Sequence, residues 1–318
     1  MKLADKTKSR CLVLGGCGFL GSHLVDDLLD KGYEVVVFDR IKVDTKNIVH
    51  NLKKINLILG DFANTDDLKR VVRDVDYIFH FIGTTLPQSS TNNPIYDIES
   101  NVISTINLLD LAKSANIRKI IFASSGGTIY GRPQKIPISE DHPANPICSY
   151  GISKLTIEKY LYLYYHLYGL DYVSLRFSNA YGLRQDPNGT QGAIAVFLGN
   201  IMHNMPIQIW GDGGVIRDYI YVKDIVDACL KAVESRQNKY QVFNIGSGTG
   251  TSLNELIEII SKIIGKKIKV EYTKGRNIDT PVNILDTNRA REVFSWSPKV
   301  SIEEGIKRVL LDDFPQCQ

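Results

Sequence analysis

The chain has 318 residues, enough for one large domain or two intimate ones. Hydrophobic residues make up 43% and charged residues 23%, so a sizeable core is available. The formal charge is +3 and the basic residues are scattered, which argues against the dense cationic stripe that a nucleic-acid partner requires.

Short apolar runs alternate with helical patterns through the first half, the signature of an α/β doubly wound parallel sheet. Residues 10–14 read as a buried strand and 20–31 as a helix ended by Gly32. Strands follow at 34–38 and 55–59, a helix at 66–72 and a fourth strand at 77–81. The loop 83–93, Gly-Thr-Thr-Leu-Pro-Gln-Ser-Ser-Thr-Asn-Asn, follows that strand, where Thr84 and Thr85 could reach a substrate or simply form turns. A long helix is expected at 101–115, a strand at 119–124, a helix at 150–168 and a strand at 171–177. The second half is interrupted by proline and glycine, with helices expected at 193–203, 222–235, 252–264 and 302–311. An open parallel sheet binds ligands at the carboxyl ends of its strands, which predicts a cleft between the two halves.

Gly15, Gly18 and Gly21 follow the first strand and open the first helix. In such a loop one glycine permits the tight turn, one lets backbone approach a pyrophosphate, and one lets helix and strand pack closely. The spacing is G-x-x-G-x-x-G rather than G-x-G-x-x-G, and Phe19 and Leu20 within it are expected to contact the cofactor. Asp39, at the end of the second strand, can accept from both adenosine-ribose hydroxyls and repel a 2'-phosphate, which favours NAD over NADP. The neighbouring Arg40 weakens that preference. Asp61, before Phe62, suits the adenine edge, or alternatively caps a turn. His80 and His23 are read as packing residues, and Phe81 and Gly83 line the start of the next loop.

Tyr150 and Lys154 lie four apart and share one helix face. An ammonium beside a phenol favours the phenolate, so Tyr150 is expected to titrate below its ordinary value of about 10 and to act as general base. They follow a strand that ends in Ser124-Ser125-Gly126-Gly127-Thr128.

These stretches, with Arg176-Phe177-Ser178-Asn179-Ala180-Tyr181-Gly182, Ile209-Trp210-Gly211-Asp212-Gly213 and Arg217-Asp218-Tyr219, occur in the order found in extended short-chain dehydrogenases. The chain resembles that family over nearly its whole length, and within it the NAD-dependent nucleotide-sugar 4-epimerases. The resemblance implies a Rossmann-type NAD-binding domain over residues 1–178, with a return segment near 218–246. A smaller, mixed α/β C-terminal substrate domain would comprise 179–217 and 247–318. It implies that Asn101, Ser124 and Phe177 contact NAD, along with the glycine loop, Asp39, Arg40, Asp61, Phe62, Phe81, Gly83, Tyr150 and Lys154. It also implies that Asn179, Trp210, Arg217, Arg276 and Asp279 hold a diphosphate and a uridine ribose, for which arginines and carboxylates are suited.

Family members that eliminate water or carbon dioxide carry an acid in the serine/threonine loop; here Gly126, Gly127 and Thr128 stand there. This points to epimerisation at C4 of a UDP-sugar, with Thr84, Ser125, Gly126, Thr128 and Tyr150 beside the sugar. UDP-glucose 4-epimerases commonly have serine where this chain has Gly126, so Ser125 or Thr128 must hold the 4-hydroxyl, Thr128 being the better candidate. A nucleotide-4-keto-sugar reductase and a non-catalytic dinucleotide-binding protein are the rival readings. Apolar residues Leu108, Leu109, Leu155, Leu161 and Leu163 suggest a homodimer through a four-helix bundle. No metal is expected. Five scattered cysteines and the lack of any leader-like or membrane-length apolar run lead to an expectation of reduced thiols in a soluble, cytoplasmic protein.

Overall fold

The computed structural model describes residues 8–236, 239–275 and 280–312. Strand β1 (Arg10–Leu14) is followed by α1 (Phe19–Asp30), β2 (Glu34–Arg40), a 3-10 turn (Lys46–Asn51), β3 (Asn56–Gly60), α2 (Thr65–Val72) and β4 (Tyr77–His80). Two short helices, α3 (Pro87–Asn92) and α4 (Pro94–Asp97), run through a π-helical turn (Ile98–Ile103) into α5 (Ser104–Ala112). Then come β5 (Lys119–Ser125), α6 (Ser149–Tyr168), β6 (Tyr172–Phe177) and β7 (Asn179–Tyr181). The chain continues through α7 (Ala193–Met202), β8 (Ile207–Trp210), β9 (Ile216–Arg217), β10 (Tyr219–Tyr221), α8 (Val222–Glu234) and β11 (Val242–Ile245). It closes with β12 (Thr251–Ser252), α9 (Leu253–Ile264), β13 (Val270–Thr273), β14 (Val282–Asn283), α10 (Asn288–Phe294) and α11 (Ile302–Asp312).

Seven strands form one sheet in the order β11-β6-β5-β4-β1-β2-β3. The pairings of β1 with β2 and β4, of β2 with β3 and of β4 with β5 are parallel. Cys11, Leu12, Val13 and Leu14 of β1 are completely shielded from water, as a strand covered on both faces requires. The order reverses between β1 and β4, and the carboxyl ends of strands flanking such a switch point are where open α/β sheets bind ligands. The doubly wound, Rossmann-type class read from the alternation is therefore the one observed.

By density of contacts the chain divides into two compact units. One takes Met1–Ser124, Cys148–Ser174 and Ala232–Arg236; the other takes Ser125–Ile147, Leu175–Lys231 and Gln237–Gln318. These limits differ from the expected 1–178 with a return at 218–246. Residues 125–147 group with the second unit because Ile138 bridges Leu285 and the Gly126 carbonyl accepts from Asn283 Nδ2 at 3.1 Å. Only 232–236 of the expected return segment groups with the first.

The first unit's core joins Leu12, Leu14 and Phe38 of the sheet to Leu68, Leu108, Leu109, Ile157 and Leu161 of the helices that cover it. Leu108, Leu109 and Leu161 are thus sheet-packing residues, not surface. Leu163, also named for the dimer face, is exposed on α6, together with Ile152 and Leu167 of the same helix and Ile95, Ile98 and Ile103 before and within the π turn. The second unit has its own small cluster of Tyr130, Ile138 and Leu285.

Two local expectations are corrected. The stretch 83–93 is not an open loop: Pro87 starts α3, as proline can at a first helical position. The helix expected over 101–115 starts earlier, as the π turn, and ends at Ala112. From the widened turn Asn101 Nδ2 donates to Asp97 Oδ1 at the end of α4, and such π segments often sit at functional sites. Among the described residues no helix is long and apolar enough to cross a membrane, and no cluster of three metal-ligating side chains occurs.

Candidate active site

The glycine loop lies at the switch point. Gly15 N donates to Phe38 O at 2.8 Å and Phe81 N to Leu14 O at 3.0 Å, so the loop is seated where β2 and β4 flank β1. Gly15 has φ +83°, a left-handed conformation that side chains resist. Gly21 is required for space: a Cβ there would lie 2.2 Å from Gly15 O. Helix α1 begins at Gly18 without a side-chain cap and without an acid in its first turn, leaving N–H groups of the kind that receive phosphate.

Asp39 lies within β2 and does two things at once. Its carboxylate accepts from Cys17 N at 3.0 Å and from Arg40 N at 2.9 Å, tying the glycine loop to the strand end. Arg40 is exposed. Asp61 accepts from Ala63 N at 2.9 Å, the turn geometry given above as its alternative role. Phe62 is buried, with its ring centroid 5.1 Å from that of His80. His80 bonds Thr105 Oγ1 at 2.9 Å, and burial together with the Lys154 charge pushes it down to about 3. It is a neutral packing residue, as expected. Gly83 has open space around it.

Tyr150 and Lys154 sit on the first turns of α6. The Tyr150 backbone N–H donates to Ser90 Oγ at 2.9 Å, and the neighbouring Ser153 Oγ donates to Asp97 at 2.5 Å. The Lys154 ammonium donates to Ala123 O at 2.8 Å, 5.6 Å from the Tyr150 ring centroid. The expected depression of the tyrosine does not hold in the protein alone. Burial pushes Tyr150 up to about 12, helped by Cys148 and Asp97, and burial pushes Lys154 down to about 8 against the pull of Asp97 and Glu158. The ammonium is held by a β5 carbonyl rather than by the phenol, so desolvation outweighs its attraction.

Ser124 is buried and donates to Glu158 Oε1 at 2.6 Å. Asn101 is saturated: Oδ1 accepts from Thr84 N at 3.0 Å and Nδ2 donates to Thr84 Oγ1 at 2.8 Å. Thr84 Oγ1 also pairs with Ser100 Oγ at 2.6 Å, and Thr85 is buried on Asp97. The polar groups Asp97, Glu158, Ser90 and Ser153 were not picked out from the sequence. Glu158 had a signal, since it continues the spacing of Tyr150 and Lys154 by four more residues; Asp97 had none.

In the second unit, a Cβ at Gly126 would lie 2.5 Å from Leu285 Cδ1. A side chain at that position would therefore require the Leu285 side chain to shift. Thr128 Oγ1 is buried and has no hydrogen-bond partner among the described residues. Asn179 donates its backbone N–H to Asp218 O at 2.8 Å. Arg217 Nη1 donates to Ile216 O at 2.9 Å and to Thr280 O at 2.7 Å. Trp210 is half exposed on β8, and Phe177 is buried at the end of β6. Arg276 and Asp279 lie outside the described residues.

The family model for NAD dependent epimerase/dehydratases matches residues 11–246. The chain belongs to the NAD-dependent epimerase/dehydratase family. It is 37% identical over 306 residues to a UDP-glucose 4-epimerase of Mycolicibacterium smegmatis, covering 95% of this chain and 97% of that protein. It is 33% identical over 313 residues to a dTDP-4-dehydro-6-deoxyglucose reductase of Escherichia coli, covering 96% and 98%. The solved UDP-glucose 4-epimerase of Thermotoga maritima with UDP-glucose superposes with a TM-score of 0.91 at 36% identity, covering 97% of this chain and all of that one.

NAD is the cofactor of this family, and the first unit fits it. The uncapped start of α1, the cradle that a Cβ at Gly21 would fill, and the Asp39 carboxylate at the end of β2 suit a pyrophosphate and a ribose diol respectively. When bound, NAD takes a hydride from a substrate carbon and can return it. In the same unit the buried Lys154 ammonium lies 5.6 Å from the Tyr150 ring centroid.

Proposed function

We propose that this protein epimerises C4 of a UDP-linked sugar, UDP-glucose and UDP-galactose or their N-acetylated equivalents, through a 4-keto sugar. The observation that carries the reading is the loop Ser125-Gly126-Gly127-Thr128. It holds no acid to protonate a leaving hydroxyl, and it presents the unpartnered Thr128 Oγ1. Such a hydroxyl can bond the sugar's 4-hydroxyl and its 4-keto form alike, which a reversible reaction requires. Tyr150 takes the 4-hydroxyl proton and gives it back after the keto sugar has turned its other face. The charge of oxidised NAD, added to that of Lys154, lowers the phenol's affinity for its proton. Ser125 stands beside Thr128 as the second hydroxyl of the loop, and Thr84 is proposed along the sugar.

Asn179, Trp210 and Arg217, with Arg276 and Asp279, are proposed to hold the UDP moiety, in keeping with the UDP-sugar named for the Thermotoga maritima relative. The exposed apolar side chains of α6 and the π turn are proposed as a homodimer face. A cytoplasmic location is proposed from the free thiols of Cys11, Cys17, Cys148 and Cys229.

The test is a panel of nucleotide sugars given to the purified protein without added cofactor and read by proton NMR. Appearance of the galacto epimer from UDP-glucose or UDP-N-acetylglucosamine supports the reading and shows retained NAD. The relationship to the Escherichia coli reductase favours a second reading, net reduction of a 4-keto sugar. Consumption of such a sugar with NAD(P)H, and no epimer in any arm even with NAD added, selects it. In the same panel Thr128→Val, which keeps the shape and removes the hydroxyl, is expected to lower turnover by about 10–100-fold, one hydrogen bond to a buried polar group. Turnover unchanged in that variant assigns the role to Ser125.

A further inference from the structure

The first turns of α6 are anchored from one side by a carboxylate that the reaction as described does not use. Asp97 is completely buried at the end of α4. Three donors from three different elements converge on it: Thr85 Oγ1 from the segment after β4, Asn101 Nδ2 at 3.1 Å from the π turn, and Ser153 Oγ at 2.5 Å from α6. Ser153 lies between Tyr150 and Lys154 in the chain. One turn earlier, Tyr150 N is held by Ser90 Oγ of α3. The turn that carries both reacting side chains is therefore docked on α3 and α4 through two serine hydroxyls.

A buried ionised carboxylate is costly unless hydrogen bonds and an opposite charge compensate it. The three hydroxyl and amide donors supply the first. The nearby buried cation of the same unit is Lys154, whose own hydrogen bond goes to Ala123 O. The titratable groups acting on Lys154 are His80 from β4, Asp97 from α4 and Glu158 from α6 itself. Those acting on Tyr150 are Cys148 and Asp97, with Lys154 below its ring. His80 stays neutral. Glu158 is turned toward the sheet, accepting from Ser124 Oγ at 2.6 Å and Ser174 Oγ at 3.1 Å. Asp97 is thus the group that bears on both reacting side chains.

We infer that Asp97 is a positioning residue of the proton-transfer turn, holding it through Ser153 and placing a buried carboxylate next to the turn that carries both reacting side chains. Its charge stabilises the ammonium and opposes the phenolate. The tyrosine then gives up its proton chiefly when the oxidised cofactor's positive charge is present, which confines proton abstraction to the loaded site.

This inference rests on Tyr150 being the group that exchanges the hydroxyl proton. Its first readout, the Tyr150 midpoint, is taken without substrate, so a failure there is separate from that of the proposed reaction. Full-length protein carrying NAD and isotope-labelled tyrosine ring carbons is titrated by NMR, with the Tyr150 signal identified by its loss in Tyr150→Phe. In Asp97→Asn, which keeps the shape and removes the charge, the Tyr150 midpoint is expected to fall by at least about half a pH unit, the effect of one nearby charge. The low-pH limb of kcat/KM should move the same way. An unmoved midpoint in folded, NAD-retaining Asp97→Asn overturns the inference. Should that variant fail to fold, Ser153→Ala keeps the charge and removes the anchor. It is expected to lower kcat by about tenfold with KM unchanged, a loss confined to the transition state. A kcat equal to that of the parent in folded Ser153→Ala overturns it equally.

Discussion

Replacing Tyr150 by phenylalanine is expected to lower turnover by about 10²–10⁴-fold, the contribution of one positioned acid–base group. The protein should remain folded with its NAD retained. The substitution removes one oxygen and nothing that holds the helix: the backbone N–H of residue 150 still donates to Ser90 Oγ, and Ser153 still donates to Asp97. Lys154 keeps its bond to Ala123 O. Burial already disfavours the ionised phenol, pushing it up to about 12. The check is a rate measurement by proton NMR, alongside the amount of NAD released on denaturation. Turnover within about tenfold of the parent, a difference of only ~1.4 kcal/mol in barrier, would show that another group moves the proton.

Gly21→Ala is expected to weaken NAD binding by more than about tenfold and to lower the melting temperature even without cofactor. The added Cβ would lie 2.2 Å from Gly15 O, 2.9 Å from Gly15 C and 2.8 Å from Gly16 Cα. All three are backbone atoms of the loop itself, so no rotamer change relieves the clash. Overpacking of this kind costs about 1–3 kcal/mol or more, and the loop it displaces is the one that Gly15 seats against β2 by its bond to Phe38 O. Gly18→Ala provides the comparison, since its Cβ meets only Gly15 O, at 3.3 Å. That variant should melt close to the parent. Thermal unfolding with and without NAD checks both, and equal melting of the two variants would refute the packing argument.

The two variants differ in why their importance was legible. Gly21 was found from spacing after an apolar strand, because a close helix–strand approach leaves a glycine at a fixed offset. Tyr150 was found from a four-residue interval, because two side chains that far apart must share a helix face. Both are local rules. What Tyr150 and Lys154 do to each other was misread, since a single helix face says nothing about depth. Burial raises the phenol and lowers the ammonium, and the ammonium bonds the Ala123 carbonyl of β5. The absence of serine at position 126 was visible as a departure, but the Leu285 side chain that packs there from far along the chain was not.

The sequence by itself determined the alternation of strand and helix, the glycine loop at the head of the first helix, the carboxylate at the end of β2 and the tyrosine–lysine pair. Each follows from periodicity or spacing within some 20 residues, where backbone geometry dictates which side chains share a face. Only the tertiary structure decided which leucines of α5 and α6 meet the sheet, that the segment after β4 coils into α3, and that residues 125–147 group with the second unit. It alone brought Asp97 to Ser153, 56 residues away. Such contacts join elements remote in the chain, and a buried carboxylate is recognisable as a site residue only once its desolvation and its donors can be seen together.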